Sequence, residues 1–316
     1  MASSPVRRSL ALILALLAAA VAGCGFTADQ RAAAVRFGEA TREMADLAAE
    51  ALVRTRQDVV HLRTRMVELG SQSVDLTKPA SDLDADLDVD KLELRLRAAA
   101  RLKAYGQLVR ALAEEDSTAR LKGAADSFIG GLSEVPGVNL PKEKADAIGA
   151  LVSAVGGWFI DGQKKSALRE VVPAARPAVD ALIVLWKKEF DPKAPYWANA
   201  LATTEERITG SLQNQINLLR PTPAGGAVVD GEVPLGEAEI ALRRVRFHEL
   251  RADAARRKVG LNELCERIQK ALDLLKQANQ DLENKMKYSD FSVESIQEYV
   301  GKVEECVRLY RVLRPQ

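Results

Sequence analysis

Apolar residues recur every three or four positions along almost the whole chain, and in two stretches they settle into a seven-residue repeat. In the first stretch, which ends near Leu69, Ala45, Leu52, Val59 and Met66 share one position while Ala48, Thr55, Leu62 and Leu69 share the other. In the second, from about Leu235 to Asn284, Ile240, Phe247, Ala254, Leu261, Ile268, Leu275 and Leu282 follow one another without a gap. Leu250, Leu264, Ala271 and Ala278 complement them. Such a repeat keeps one apolar seam on one side of a long helix. Gly260 and the basic residues Arg243 and Arg257 interrupt the second seam.

Shorter helical patterns fill the interval. One runs from about Lys91 to Glu115 with Leu94, Ala98, Tyr105, Leu108 and Leu112 on one side, and another from about Ser117 to Leu132, closed by Gly130-Gly131 and Pro136-Gly137. A helix is expected from Pro141 to Val172, ended or kinked by Pro173 and Pro177, with a further helix to Phe190. Others cover about Tyr196 to Leu219 and Ser292 to Leu313, the last with Val293, Ile296, Val300, Val303 and Val307 on one face. No stretch alternates with the period of a strand except the acidic connector described below. The pattern predicts an all-α chain, an elongated antiparallel helical bundle with long coiled-coil-like helices. Residues 24–316 are expected to form one such domain, with an acidic connector at 70–90 and a flexible one at 220–236.

Composition supports long helices, since aromatic residues make up 5% and Pro and Gly gather in the connectors. The first residues stand apart from the rest. Arg7 and Arg8 precede an uncharged apolar run from Leu10 to Ala22, which is followed by Val21-Ala22-Gly23-Cys24 at its end. This is the layout of a secretory signal, too short to cross a bilayer as a folded helix. The ending resembles the lipobox of bacterial lipoproteins, with small residues before the cysteine and a thiol able to take a diacylglyceryl group. The resemblance implies a signal peptide over residues 1–23, cleavage before Cys24, and acylation of Cys24 with palmitate-type chains. Gly25 follows instead of the aspartate linked to inner-membrane retention, which implies the outer membrane, facing the periplasm. Removing the signal leaves 43 basic and 44 acidic residues, a net charge of −1. No nucleic-acid partner is implied by that balance.

Candidate chemistry elsewhere is sparse. In an oxidising compartment Cys265 and Cys306 are candidates for a disulfide joining the last two helices. Asp82, Asp84, Asp86, Asp88 and Glu93 fall at spacings similar to those of an EF-hand calcium loop, but Leu87 stands where the sharp turn needs glycine. They are therefore weak calcium candidates, and an extended acidic connector is the expected reading. The run Ala147 to Ile160 is uncharged, and Ala145, Gly149, Ser153 and Gly157 make a small-residue ridge on it, expected to seat a neighbouring helix. His61 and His248 are far apart and have no ligand companions.

No nucleophile, base or metal cluster appears at motif spacing, so neither an enzyme nor a cofactor is expected. Two functions fit the pattern. One is a lipid-anchored structural or interaction protein of the cell envelope, held to the membrane through its lipid, with an envelope protein as partner and a homo-oligomer as an option. The other is a membrane-remodelling or pore-forming protein that uses residues 147–160, similar in architecture alone to the cytolysin A type. Beyond the lipobox, the chain resembles helical envelope lipoproteins in general.

Overall fold

The computed structural model describes residues 26–69, 87, 89–114, 118–155, 161–191, 193, 197–218, 237–288 and 292–313. Among them are eight α-helices and no strand: α1 Ala28–Glu68, α2 Val89–Ala113, α3 Thr118–Gly130, α4 Lys142–Val155, α5 Asp161–Glu189, α6 Trp197–Leu218, α7 Glu237–Lys287 and α8 Glu294–Leu313. A short 3₁₀ turn, Leu132–Glu134, follows α3. The chain is an all-α helical bundle.

Helix α1 starts where its side chains can close it. The Gln30 N–H donates to the Thr27 hydroxyl at 3.1 Å, and the Thr27 N–H donates to Gln30 Oε1 at 3.2 Å. This reciprocal capping box satisfies two of the four N–H groups that a helix start leaves open. Gln30 also donates its side-chain amide to the Lys285 carbonyl at 2.7 Å, tying the start of α1 to the end of α7. At the far end of α2, Lys164 Nζ donates to the Glu114 carbonyl at 2.6 Å, a buried cation against the negative end of a helix.

The chain divides into two compact units, where the sequence pattern led us to expect one continuous body. The first comprises residues up to Ala48, Leu94–Trp186 and Lys270–Arg308; the second comprises Ala49–Glu93, Lys187–Gln269 and the residues from Leu309. Both long helices, α1 and α7, contribute to each.

In the first unit, α1 is enclosed on nearly every side. Between Gln30 and Ala48 it exposes Ala32, Arg36 and Glu43. Its Phe37 ring lies 6.2 Å from Tyr105, edge to face, and 5.9 Å from Tyr299, while Phe128 lies 5.4 Å from Tyr105. The tyrosine hydroxyls inside this cluster are satisfied, as buried phenols must be. Tyr105 donates to Asn279 Oδ1 at 2.5 Å, and Tyr299 reaches the Thr41 hydroxyl at 3.4 Å. α1 and α2 touch backbone to backbone at a pair of glycines. A Cβ on Gly38 would stand 2.6 Å from the Gly106 carbonyl, and one on Gly106 would stand equally near the Gly38 carbonyl.

In the second unit most of the heptad seam residues are buried, with Leu52, Val59, Leu62, Ile240, Phe247, Ala254 and Leu264 all inaccessible or nearly so, while Leu69 and Leu261 are half-buried. Gly260 interrupts the apolar seam of α7 because Leu313 occupies the space. A Cβ there would lie 2.7 Å from Leu313 Cδ2.

Three expectations from the sequence change. Pro173 and Pro177, expected to end or kink a helix, do not end one, since α5 runs through both. They lie half-buried and exposed, while Val171, Val172, Ala175, Ala178 and Val179 are fully buried beside them. Apolar burial of that face offsets the roughly 3 kcal/mol that each interior proline costs. The helix expected from Pro141 to Val172 is described over α4 and the first part of α5, and residues 156–160 between them lie outside the described residues. Leu94, placed on the buried side of α2, is 39% exposed, because that helix is enclosed from Ala98 onward. On α8 the expected Ile296 and Val303 are buried, but the rest of the buried stripe is Tyr299, Cys306 and Tyr310. Val293, Val300 and Val307 are half-buried, since the larger tyrosine side chains fill the interior better.

Candidate functional site

The residues singled out from the sequence do not converge. Cys24, the connector at 220–236 and the calcium candidates Asp82, Asp84, Asp86 and Asp88 lie outside the described residues, and Glu93 stands exposed on α2. Within the acidic connector Leu87 is buried, and its carbonyl accepts a hydrogen bond from Arg56 Nε at 2.9 Å. Among the described residues no group of three or more His, Cys, Asp or Glu side chains could hold a metal ion. His61 and His248 are both exposed.

Cys265 and Cys306 are both buried, and no disulfide joins them. Burial, with Asp191 and Glu266 nearby, pushes the Cys265 thiol up to about 12. It is therefore a poor nucleophile at neutral pH.

The small-residue ridge is also placed differently. α4 buries Ile148 and Val152, but Ala147, Ala150, Ser153 and Ala154 are exposed, and nothing lies within 4 Å of where a Gly149 Cβ would be. No helix packs along that ridge over its described part, 145–154. The tight glycine contact belongs to Gly38 and Gly106 instead.

What the sequence reading missed is a cleft of about 350 Å³ in the second unit. Four elements build it. Ala51 and Thr55 come from α1, Leu201 from α6, Leu261 and Leu264 from α7, and Tyr310 and Leu313 from α8. Along one side runs a chain of charges. Arg54 Nε donates to Asp58 Oδ1 at 2.9 Å, and Arg257 pairs with the same oxygen while its Nε donates to Asp253 Oδ2 at 2.9 Å. Arg256 approaches the other Asp253 oxygen at 3.6 Å and is 74% exposed. Three guanidinium groups thus face two carboxylates beside an apolar wall. Arg257 and Gly260, two of the three faults in the α7 seam, both line this cleft. A break in an otherwise strict hydrophobic pattern was the available signal.

Comparison with protein-family models, with curated proteins and with solved structures gives no match. The class that the fold defines is therefore that of an all-α helical bundle.

Proposed function

We propose that this chain is a lipid-anchored helical structural or interaction protein of the bacterial cell envelope, without catalytic activity of its own. The observation that carries this reading is the sequence Val21-Ala22-Gly23-Cys24, placed at the end of a charged and then apolar leader. The capping box at Thr27 adds to it, because helix α1 begins four residues after Cys24 and leaves almost no tether between lipid and bundle. A helix of 41 residues then extends about 60 Å, a reach suited to holding a partner away from the membrane surface. Gly25 favours the outer membrane, periplasmic side, and the partner is an envelope protein. Replacing Cys24 by Ser should abolish both palmitate incorporation and co-fractionation with membranes. Retention of labelled palmitate in that variant would end the proposal.

One observation favours a second reading, membrane remodelling through residues 147–160. Beyond its charged start, where Lys142, Glu143 and Asp146 are exposed, α4 exposes Ala147, Ala150, Ser153 and Ala154, uncharged side chains open to a lipid surface. Against it, no helix among the described residues is long and apolar enough to cross a membrane. Dye-loaded liposomes should stay sealed when the protein is added; leakage suppressed by Ser153→Glu would promote this reading over the first.

A further inference from the structure

We propose that the cleft of the second unit binds a single-chain amphiphile with an anionic head, of the fatty-carboxylate type. The cleft is divided by chemistry. Its wall is formed by Ala51, Leu201, Leu261, Leu264 and Leu313, and the hydroxyl of Thr55 is turned back onto the Ala51 carbonyl at 2.9 Å. This part offers an alkyl chain burial without leaving the hydroxyl of Thr55 unsatisfied.

The charged side is biased toward an anion. Both carboxylates, Asp58 and Asp253, are already engaged by Arg257, which bridges them. Arg54 spends its Nε on Asp58, and Arg256 has a long 3.6 Å approach to Asp253. The count of three guanidinium groups against two carboxylates leaves one net positive charge, and the terminal N–H groups of Arg54 and Arg256 have the planar fork that suits a carboxylate. A cationic head would meet that net charge unfavourably. A neutral chain would gain the wall and leave the guanidinium groups unused.

A single alkyl chain with a small head fits a volume of about 350 Å³, at the lower end of small-ligand sites. Neither Cys24 nor the 147–160 segment takes part, so this inference stands apart from the anchor.

The test uses the chain from Cys24 onward with Cys24→Ser, which retains every described residue. Decanoate, below its micellar concentration, is titrated by calorimetry alongside decanol, decyltrimethylammonium and inorganic phosphate. Decanoate should bind and raise the melting temperature, decanol and the cationic amphiphile should bind at least about tenfold more weakly, and phosphate alone should give no heat. Arg256→Glu should weaken decanoate at least about tenfold, and Arg256→Lys by less. Arg256 is exposed, so the unliganded melting temperature should not move, and this separates lost binding from lost fold. The proposal is overturned if decanoate gives no heat, if Arg256→Glu binds it as tightly as the parent, or if the cationic amphiphile binds equally well.

Discussion

The two units draw on the same pair of long helices and use them in opposite ways. In the first, α1 is surrounded, its backbone meets that of α2 at Gly38 and Gly106, and each hydroxyl of the aromatic cluster finds a partner, Tyr105 at Asn279 and Tyr299 at Thr41. In the second, α1 buries one seam, and its Arg54 and Asp58 join Asp253, Arg256 and Arg257 of α7 in a chain of charges along the edge of an open cleft. The contrast shows what a heptad seam does and does not specify. It guarantees one buried stripe, whereas enclosure of the other faces depends on what the neighbouring helices bring. Where small residues and aromatics arrive the result is a dry core; where an arginine replaces a seam residue, space and charge remain.

The sharpest way to break this contrast is at the glycine crossing. Gly38→Ala places a Cβ against backbone atoms that cannot move aside, so it should cost about 2–3 kcal/mol by urea unfolding. A cost below about 0.5 kcal/mol would mean that the two helices are not in backbone contact. In the second unit, Asp58→Ala strips the shared partner from Arg54 and Arg257. Because Asp58 is 13% exposed and its partners remain partly solvated, the loss should be smaller, about 1–2 kcal/mol.

Alkaline pH acts on both units in the same direction. Burial raises the Cys265 thiol from 9.0 to about 12 and raises Tyr105 and Tyr299 well above their ordinary 10.0. The folded chain therefore keeps protons that the unfolded chain has already released. Stability from these groups is fully present below about pH 9 and is lost as pH rises above it. A melting temperature that falls by several degrees between pH 8 and pH 11 is expected. Neither thiol should react with an alkylating agent in the native protein at pH 8, and both should react once it is denatured.

The smallest effects sharpen the comparison from the other side. Gly149→Ala meets open space in α4, so the gain in helix propensity should stabilise the protein by about 0.5–1 kcal/mol, the reverse of the same change at Gly38. Ser153→Glu adds a charge at an exposed position and should shift stability by less than about 0.5 kcal/mol. A loss of several kcal/mol there would show that a helix covers the ridge after all.

Helix content, the long seams of α1 and α7, and the start of α1 at Thr27 were legible in the sequence, because periodicity and capping are local properties of a few neighbouring residues. Two contiguous features were read in the right place and given the wrong consequence. Pro173 and Pro177 cost helix locally, yet the buried face from Val171 to Ile183 holds α5 together through them. The spacing of Ala145, Gly149 and Ser153 allows a close helix contact without requiring one, and the tertiary fold places that contact at Gly38 and Gly106, which no repeat announces. The cleft was still less visible. Its wall and charges come from four helices, with Ala51 and Leu313 more than 250 residues apart, and Arg257 and Gly260 marked it in the sequence as faults in the α7 pattern. Local chemistry chooses the helix; only the meeting of distant helices decides which small residue is crushed, which proline is tolerated, and where a break in the seam becomes a space.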